Sequence, residues 1–276
     1  MLQRLLALSL ALLTPSALIA ADAAASLDGQ TKPRWEAGIA VGGATLPQYM
    51  GSNERYTLAA PIPYIIYRGD KLKVDRSGIR RELFGINNLT ADLSLGVGMP
   101  VRNSNVARSG MPELRFALQL GPRLNIHLLD SEAKSVTLRL PLRAAFSISG
   151  KAIGWLAEPD LLVEYKPTAE IKLSFAGGLL YGSADYMRYY YGVDPIYATA
   201  IRPAYSARQG LHSLSLRTAI TYEISDDLTF FTTLRYRNLA PGAIADSPLV
   251  KDRNYISIAG GIAWSFWSSE EQVTVE

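Results

Sequence analysis

The sequence predicts an all-β protein, a single antiparallel β-barrel that crosses a membrane. Three observations lead there. Apolar and polar side chains alternate through most of the chain. Several alternating runs exceed the five or six residues of an average soluble strand and reach the roughly 9–11 that a tilted membrane strand needs. The polar phase carries charge in mid-strand, while the apolar phase carries aromatics near the strand ends.

The N-terminus opens with MLQRLLALSLALLTPSALIAADAAAS. Arg4 supplies a positive start, Leu5 to Leu13 a short apolar core, and Ala21-Asp22-Ala23 a small-residue cleavage site. Residues 1–25 therefore read as a secretory signal peptide. Pro15 and Ser16 interrupt the apolar run well short of the roughly 18 residues expected of a membrane anchor. The rest divides into an N-terminal periplasmic segment (26–34), the barrel (35–266) and a C-terminal periplasmic tail (267–276). The tail, WSSEEQVTVE from Trp267, reads first as a loose end and second as a contact segment.

The strands follow in order. From Leu89 to Met99 the odd positions are Leu89, Ala91, Leu93, Leu95, Val97 and Met99, against Thr90, Asp92 and Ser94 on the even ones. Leu114 to Leu128 sets Leu118, Leu120 and Leu124 against Gln119, Arg123 and Asn125. Val136 to Ile148 sets Leu138, Leu140 and Leu142 against Thr137, Arg139 and Arg143. The same alternation marks Ile171–Tyr181, Leu214–Ile224, Leu228–Tyr236 and Ile256–Phe266. Successive strand side chains point to opposite faces, so each run has one apolar and one polar face. A soluble sandwich would alternate too. Run length favours the barrel, as do the aromatics Trp35, Tyr165, Tyr181, Tyr222, Tyr236, Trp264 and Phe266, placed as two interfacial girdles.

Short polar turns fall at Asp130–Lys134, Lys166–Ala169 and Ser225–Asp227, with longer connections at 46–56, 100–112, 149–159, 182–210 and 240–254. Short turns on one side and long loops on the other are the habit of outer-membrane barrels. For the alternation to hold back to Trp35, Lys71–Phe84 must contain a hairpin turning near Arg76-Ser77-Gly78. That gives twelve strands. Ten is the alternative if that hairpin does not cross.

Several segments resemble one family. Leu46–Asp75 holds Tyr49, Gly51 and Ser52, then Pro61 and Tyr64, then Gly69. Tyr189–Pro195 reads YYYGVDP, and Asn238–Phe266 holds Asp246-Ser-Pro-Leu-Val250 before a closing strand. In order and spacing these resemble the MipA/OmpV family of outer-membrane proteins. The resemblance implies an outer-membrane barrel without catalytic residues. It also implies a scaffold that binds a lytic murein transglycosylase and a penicillin-binding protein.

The chemistry-bearing residues are sparse. There are no cysteines, so disulfides, Cys-ligated metals and a lipoprotein anchor are excluded. The net charge of +3 is spread without a basic block, which argues against nucleic acid. His127 lies in polar phase at a strand end and His212 in the opposite phase beside a long loop. Ser131 and Asp130 near His127 sit in a short turn without a nucleophile elbow, so a lipid hydrolase is the weakest reading. No metal, cofactor or catalytic group is expected.

The polar phase carries Arg115, Arg123, Arg139, Arg143, Arg217, Arg235 and Arg237 against Asp92, Glu113, Glu164 and Glu223. These predict a lumen lining. Either it favours anions in a small passive channel, or it pairs its charges and fills a narrow barrel. The tyrosine-rich YMRYYYGVDP is expected at the membrane boundary or in the longest outer loop, outside any core. There Tyr189, Tyr190 and Tyr191 would contact lipopolysaccharide, a host surface or only their own barrel mouth.

Overall fold

A computed structural model of the chain describes residues 30–68, 72–75, 78–81, 84–86 and 88–275. The signal peptide expected at 1–25 lies outside the described residues.

The strands are β1 (Gln30–Pro33), β2 (Trp35–Pro47), β3 (Arg55–Arg68), β4 (Leu72–Asp75), β5 (Gly78–Arg81), β6 (Phe84–Ile86), β7 (Leu89–Gly98), β8 (Ala117–Asp130) and β9 (Lys134–Ser147). They continue as β10 (Ala152–Ala157), β11 (Asp160–Tyr165) and β12 (Ile171–Gly182). Among the described residues one α-helix, α1 (Ala184–Tyr191), precedes β13 (Gly210–Ser225), β14 (Leu228–Asn238), β15 (Asn254–Ser268) and β16 (Gln272–Val275).

All pairings are antiparallel. The main sheet runs β5-β4-β3-β2-β15-β14-β13-β12-β10-β9-β8-β7-β6, with β11 between β9 and β12. The C-terminal β15 pairs with β2 from Ile258↔Thr45 to Ser268↔Glu36, which joins the two ends of the chain into one wall. β5 lies alongside β7 and brings the far ends of the sheet together as a barrel.

The patterning is inside out relative to a soluble protein. On β9, Leu140, Leu142 and Phe146 are exposed, while Thr137, Arg139, Arg143 and Ser147 are buried. On β13, Leu214, Leu216 and Ile220 point outward, and Arg217 and Thr221 point in. Leu216 is 62% exposed and Arg237 of β14 only 3%. A wall with apolar residues outside and charged ones inside is stable only if the outside is hydrocarbon. Among the described residues no helix is long and apolar enough to cross a membrane. The strands do the crossing.

Ten wall positions are long enough to cross, counting β10 and β11 as one. The hairpin expected within Lys71–Phe84 is present as β4 and β5, with Asp75 opposite Gly78, but each arm has four residues. That is below the roughly nine needed to span, so the described residues do not form twelve crossing strands.

Two other expectations are corrected. Ser149–Pro159 is not a long loop. The chain turns at Gly150, with φ +80, and β10 pairs with β9 from Ala152 onward. Only Glu158 and Pro159 interrupt the strand before β11 resumes pairing with β9 and β12. Proline cannot donate to a ladder, which explains a break at that point. The C-terminal tail is not a loose end either. β16 pairs with β1, from Gln30↔Val275 to Pro33↔Gln272. The ribbon is fixed to the turn end of the barrel by Lys32 Nζ to Glu223 Oε1 of β13 at 2.9 Å, while Arg34 Nη1 to Glu271 Oε1 at 2.7 Å ties its two arms together.

Candidate functional site

The outer mouth is not open. Its plug begins with Ser183, which caps α1 by accepting from the Tyr186 N–H and also accepts from Trp155 N at 3.0 Å. Gly154, with φ +129, allows this approach, because a Cβ there would sit 2.7 Å from Tyr186 N. Tyr186, Met187, Tyr190 and Tyr191 fall on one helical face and are buried, while Asp185 and Arg188 face solvent. They join Tyr49, Val101, Met111, Leu114, Leu239, Ile244 and Leu249 from three other outer segments in one apolar cluster.

This corrects the reading of the tyrosines. Tyr190 and Tyr191 are core residues at the barrel mouth, and Tyr189 packs partly buried against them. They do not form an exposed contact loop. A helical face two turns long is hard to see among glycines and prolines.

Polar bonds pin the plug from every side. Tyr49 donates to the Leu249 carbonyl at 2.7 Å, Ser247 to that of Tyr191 at 2.8 Å, and Arg108 to that of Tyr190 at 3.0 Å. Arg202 donates to the carbonyls of Ala107, Ser109 and Tyr197. Burial pushes the Tyr49 phenol up to about 12 and raises those of Tyr190 and Tyr191 well above the usual tyrosine value. Burial also lowers Arg108 below the usual guanidinium value, against the pull of Tyr49.

Beneath the plug lies a chamber of about 250 Å³. Arg123, Arg139, Arg143, Arg217, Arg235 and Arg237 line it, with Glu158 and Asp160 as the only lining carboxylates among the described residues. Six of the seven arginines expected as a lumen lining are therefore brought together. Arg115 is not. It precedes β8, is exposed at the outer end, and meets Tyr189 through its backbone, its N–H donating to Tyr189 Oη at 3.0 Å. Glu113 is also exposed, accepting from Asn103 N at 3.3 Å.

The charges are largely paired. Arg123 holds Asp92 through Nε and Nη2 at 2.8 and 2.7 Å, and Arg139 holds Asp160 at 2.7 and 2.5 Å. Glu158 is the hub. It accepts from Arg143 at 2.6 Å and Arg237 at 2.7 Å, with Arg235 at 4.0 Å. Bidentate pairs are the strong geometry for such bonds. Nε of Arg143 and of Arg235 is buried without a hydrogen-bond partner among the described residues. Glu158 escaped the sequence reading because the strand interruption at Pro159 looks like a loop. The Glu-Pro-Asp sequence was the available signal.

Both histidines are held by hydrogen bonds. His127 stands between Thr90 and Thr137 at 3.1 and 3.4 Å. His212 is fully buried under the plug beside Tyr191. The register shift between Leu180 and Tyr181 is the bulge that turns both His212 and Ser213 inward. Among the described residues no three of His, Asp or Glu converge as metal ligands.

The expected girdle residues all lie on the outward phase. Trp35, Tyr165, Tyr222, Trp264 and Phe266 mark the turn end and are exposed. Tyr181, stacked on Trp155 at 5.9 Å, and Tyr236 mark the loop end.

Comparison with known proteins gives the family of the chain. Residues 39–266 match the MipA family, described as "MltA-interacting protein MipA". Outer membrane protein OmpV of Vibrio cholerae is 30% identical over 205 residues, covering 72% of this chain and 76% of the relative. Outer membrane protein Omp26La of Vibrio anguillarum is 27% identical over the same shares. Among solved structures, an outer membrane channel from Pseudomonas putida F1 covers 87% of this chain and 98% of its own, with 9% identity and a TM-score of 0.47. The NanC porin covers 82% and 98%, with 12% identity and a TM-score of 0.40. The chain is an outer-membrane β-barrel protein of the MipA family.

Proposed function

We propose that this protein is an outer-membrane scaffold whose barrel anchors it in the bilayer and whose periplasmic end holds a murein-remodelling enzyme. The observation that carries the reading is the sealed mouth. A passive channel needs a continuous wet path, and here the outer end is an apolar core built on Tyr49, Tyr186, Tyr190 and Tyr191. Short turns of outer-membrane barrels face the periplasm. The β1–β16 ribbon then lies on the periplasmic side and offers a fixed platform rather than a trailing tail. The family description, MltA-interacting protein, supports a lytic transglycosylase as partner; a penicillin-binding protein as the second rests on the family resemblance alone.

Co-purification from detergent-solubilised envelope tests this. The expected result is recovery of a lytic transglycosylase that also binds the purified chain, and loses affinity when 270–276 is removed. Failure of the purified pair to bind would contradict it. A second reading, a small anion-preferring channel, is favoured by the six arginines of the chamber. It requires the plug to move.

A further inference from the structure

The barrel wall has a seam on one side. β3 is paired with β2 along its whole length, from Trp35↔Tyr67 to Pro47↔Arg55. On its other edge, among the described residues, only Tyr67 and Arg68 are paired, with β4. Among the described residues the facing edge of the wall at β7 is paired only from Leu89 to Ala91, with β6. Tyr56 of β3 donates to the Pro100 carbonyl, just past β7, at 2.7 Å, and ties the two sides at the outer end.

β3 is built for an open edge. Pro61 and Pro63 have no N–H, yet the ladder to β2 runs through both, so the missing donors fall on the seam side. Bare strand edges do not face lipid, because their N–H groups find no partner there, so removing two donors lowers that penalty. The lumen side of β3 is also unlike the other strands. Leu58, Ala60 and Ile62 face inward, opposite Ala44, Gly42 and Ala40 of β2. That wall is small and apolar while the facing wall is cationic. Every residue from Leu93 to Met99 lines the chamber, from both phases of β7.

We infer that the seam between β3 and β7 admits a single-chain amphipathic anion from the bilayer, its acyl chain against Leu58, Ala60 and Ile62 and its carboxylate among the arginines. The buried Nε groups of Arg143 and Arg235 are the unused donors that would meet it. The chamber, at about 250 Å³, is smaller than the roughly 300–1,000 Å³ that encloses a whole drug-sized ligand, which suits a headgroup whose chain stays in the seam. Arg235 stands 4.0 Å from Glu158, against 2.6 and 2.7 Å for Arg143 and Arg237, so it is held less closely than either.

The test uses the full chain in nanodiscs of zwitterionic lipid. The probe is a fluorescent long-chain polyene carboxylate, competed with dodecanoate, methyl dodecanoate or inorganic phosphate. Saturable binding is expected, displaced by dodecanoate and not by the ester or by phosphate. Arg235→Gln should weaken it about tenfold, the loss of one charge-assisted contact of about 1.4 kcal/mol. Ala60→Trp, which narrows the seam without touching the arginines, should weaken it as well and covers the case in which the arginine variant fails to fold. Equal displacement by the ester, full displacement by phosphate alone, or binding unchanged in both variants would overturn the inference.

Discussion

His212 Nε2 and Tyr191 Oη lie 2.7 Å apart at the underside of the plug. The Tyr191 hydroxyl donates to the Met50 carbonyl at 2.8 Å, so the histidine nitrogen is the donor to it. His212 Nδ1 then accepts from Ser213 Oγ at 2.8 Å, and Ser213 in turn accepts from Arg237 at 3.4 Å. Arg237 is held by Glu158 at 2.7 Å. One hydrogen-bonded line therefore runs from the chamber's charge hub to the plug.

Breaking that line at its upper end loosens the plug. Tyr191→Phe keeps the ring but strands the buried His212 and Met50 groups, at about 1–3 kcal/mol. Tyr191→Ala also leaves a cavity and costs about 3–5 kcal/mol. Thermal unfolding in detergent should rank wild type above Phe above Ala. Equal midpoints would show that the hydroxyl is solvated and the plug loose.

Breaking it at the lower end leaves cations without their shared counter-charge. Glu158→Gln is expected to cost about 3 kcal/mol or more, since removing one partner of a buried ion cluster strands the others. Denaturant unfolding in lipid vesicles measures it. A midpoint unmoved by the substitution would mean that water, not Glu158, balances Arg143 and Arg237.

The plug should fail in alkali. Burial holds the Tyr49 phenol up at about 12 against an unfolded value of 10.0, so the neutral form is the one the folded plug keeps. Its stabilising contribution is complete below pH 10 and is lost as pH rises through about 12. Tyr190 and Tyr191 shift the same way. Tyrosinate absorbance should therefore rise in two stages, the exposed tyrosines first and the plug tyrosines together with loss of its structure. A single stage near the ordinary tyrosine range would contradict burial.

The outward face should read membrane depth. Leu216→Arg, near the middle of β13, is expected to cost about 2–4 kcal/mol, and Ile224→Arg, near the strand end, about 0–1 kcal/mol. Unfolding of each variant from vesicles gives the comparison. Similar small costs at both sites would mean that this face meets water.

The wall was legible because a barrel writes itself as period two. From β7 to β15, leaving aside the break at Glu158 and Pro159, each long strand lies where alternation placed it, and the arginines of β8, β9, β13 and β14 fall inward as their phase required. The mouth was not legible. Tyr186 and Tyr190 pack by a helical period too short to stand out, and their partners Tyr49 and Leu249 come from segments far away in sequence. Glu158 was hidden for a related reason. Pro159 breaks the pattern where the lumen needed an acid, and a break reads as a loop. The ribbon of β1 and β16 rests on pairing between the chain's two ends, which local periodicity cannot reveal.

The central claim is a barrel shut at its outer mouth, and single-channel recording in planar bilayers tests it most directly. The intact chain should show no reproducible open level. Joint replacement of Tyr186, Tyr190 and Tyr191 by serine should produce one, selective for anions. A steady conductance from the intact chain would contradict the account.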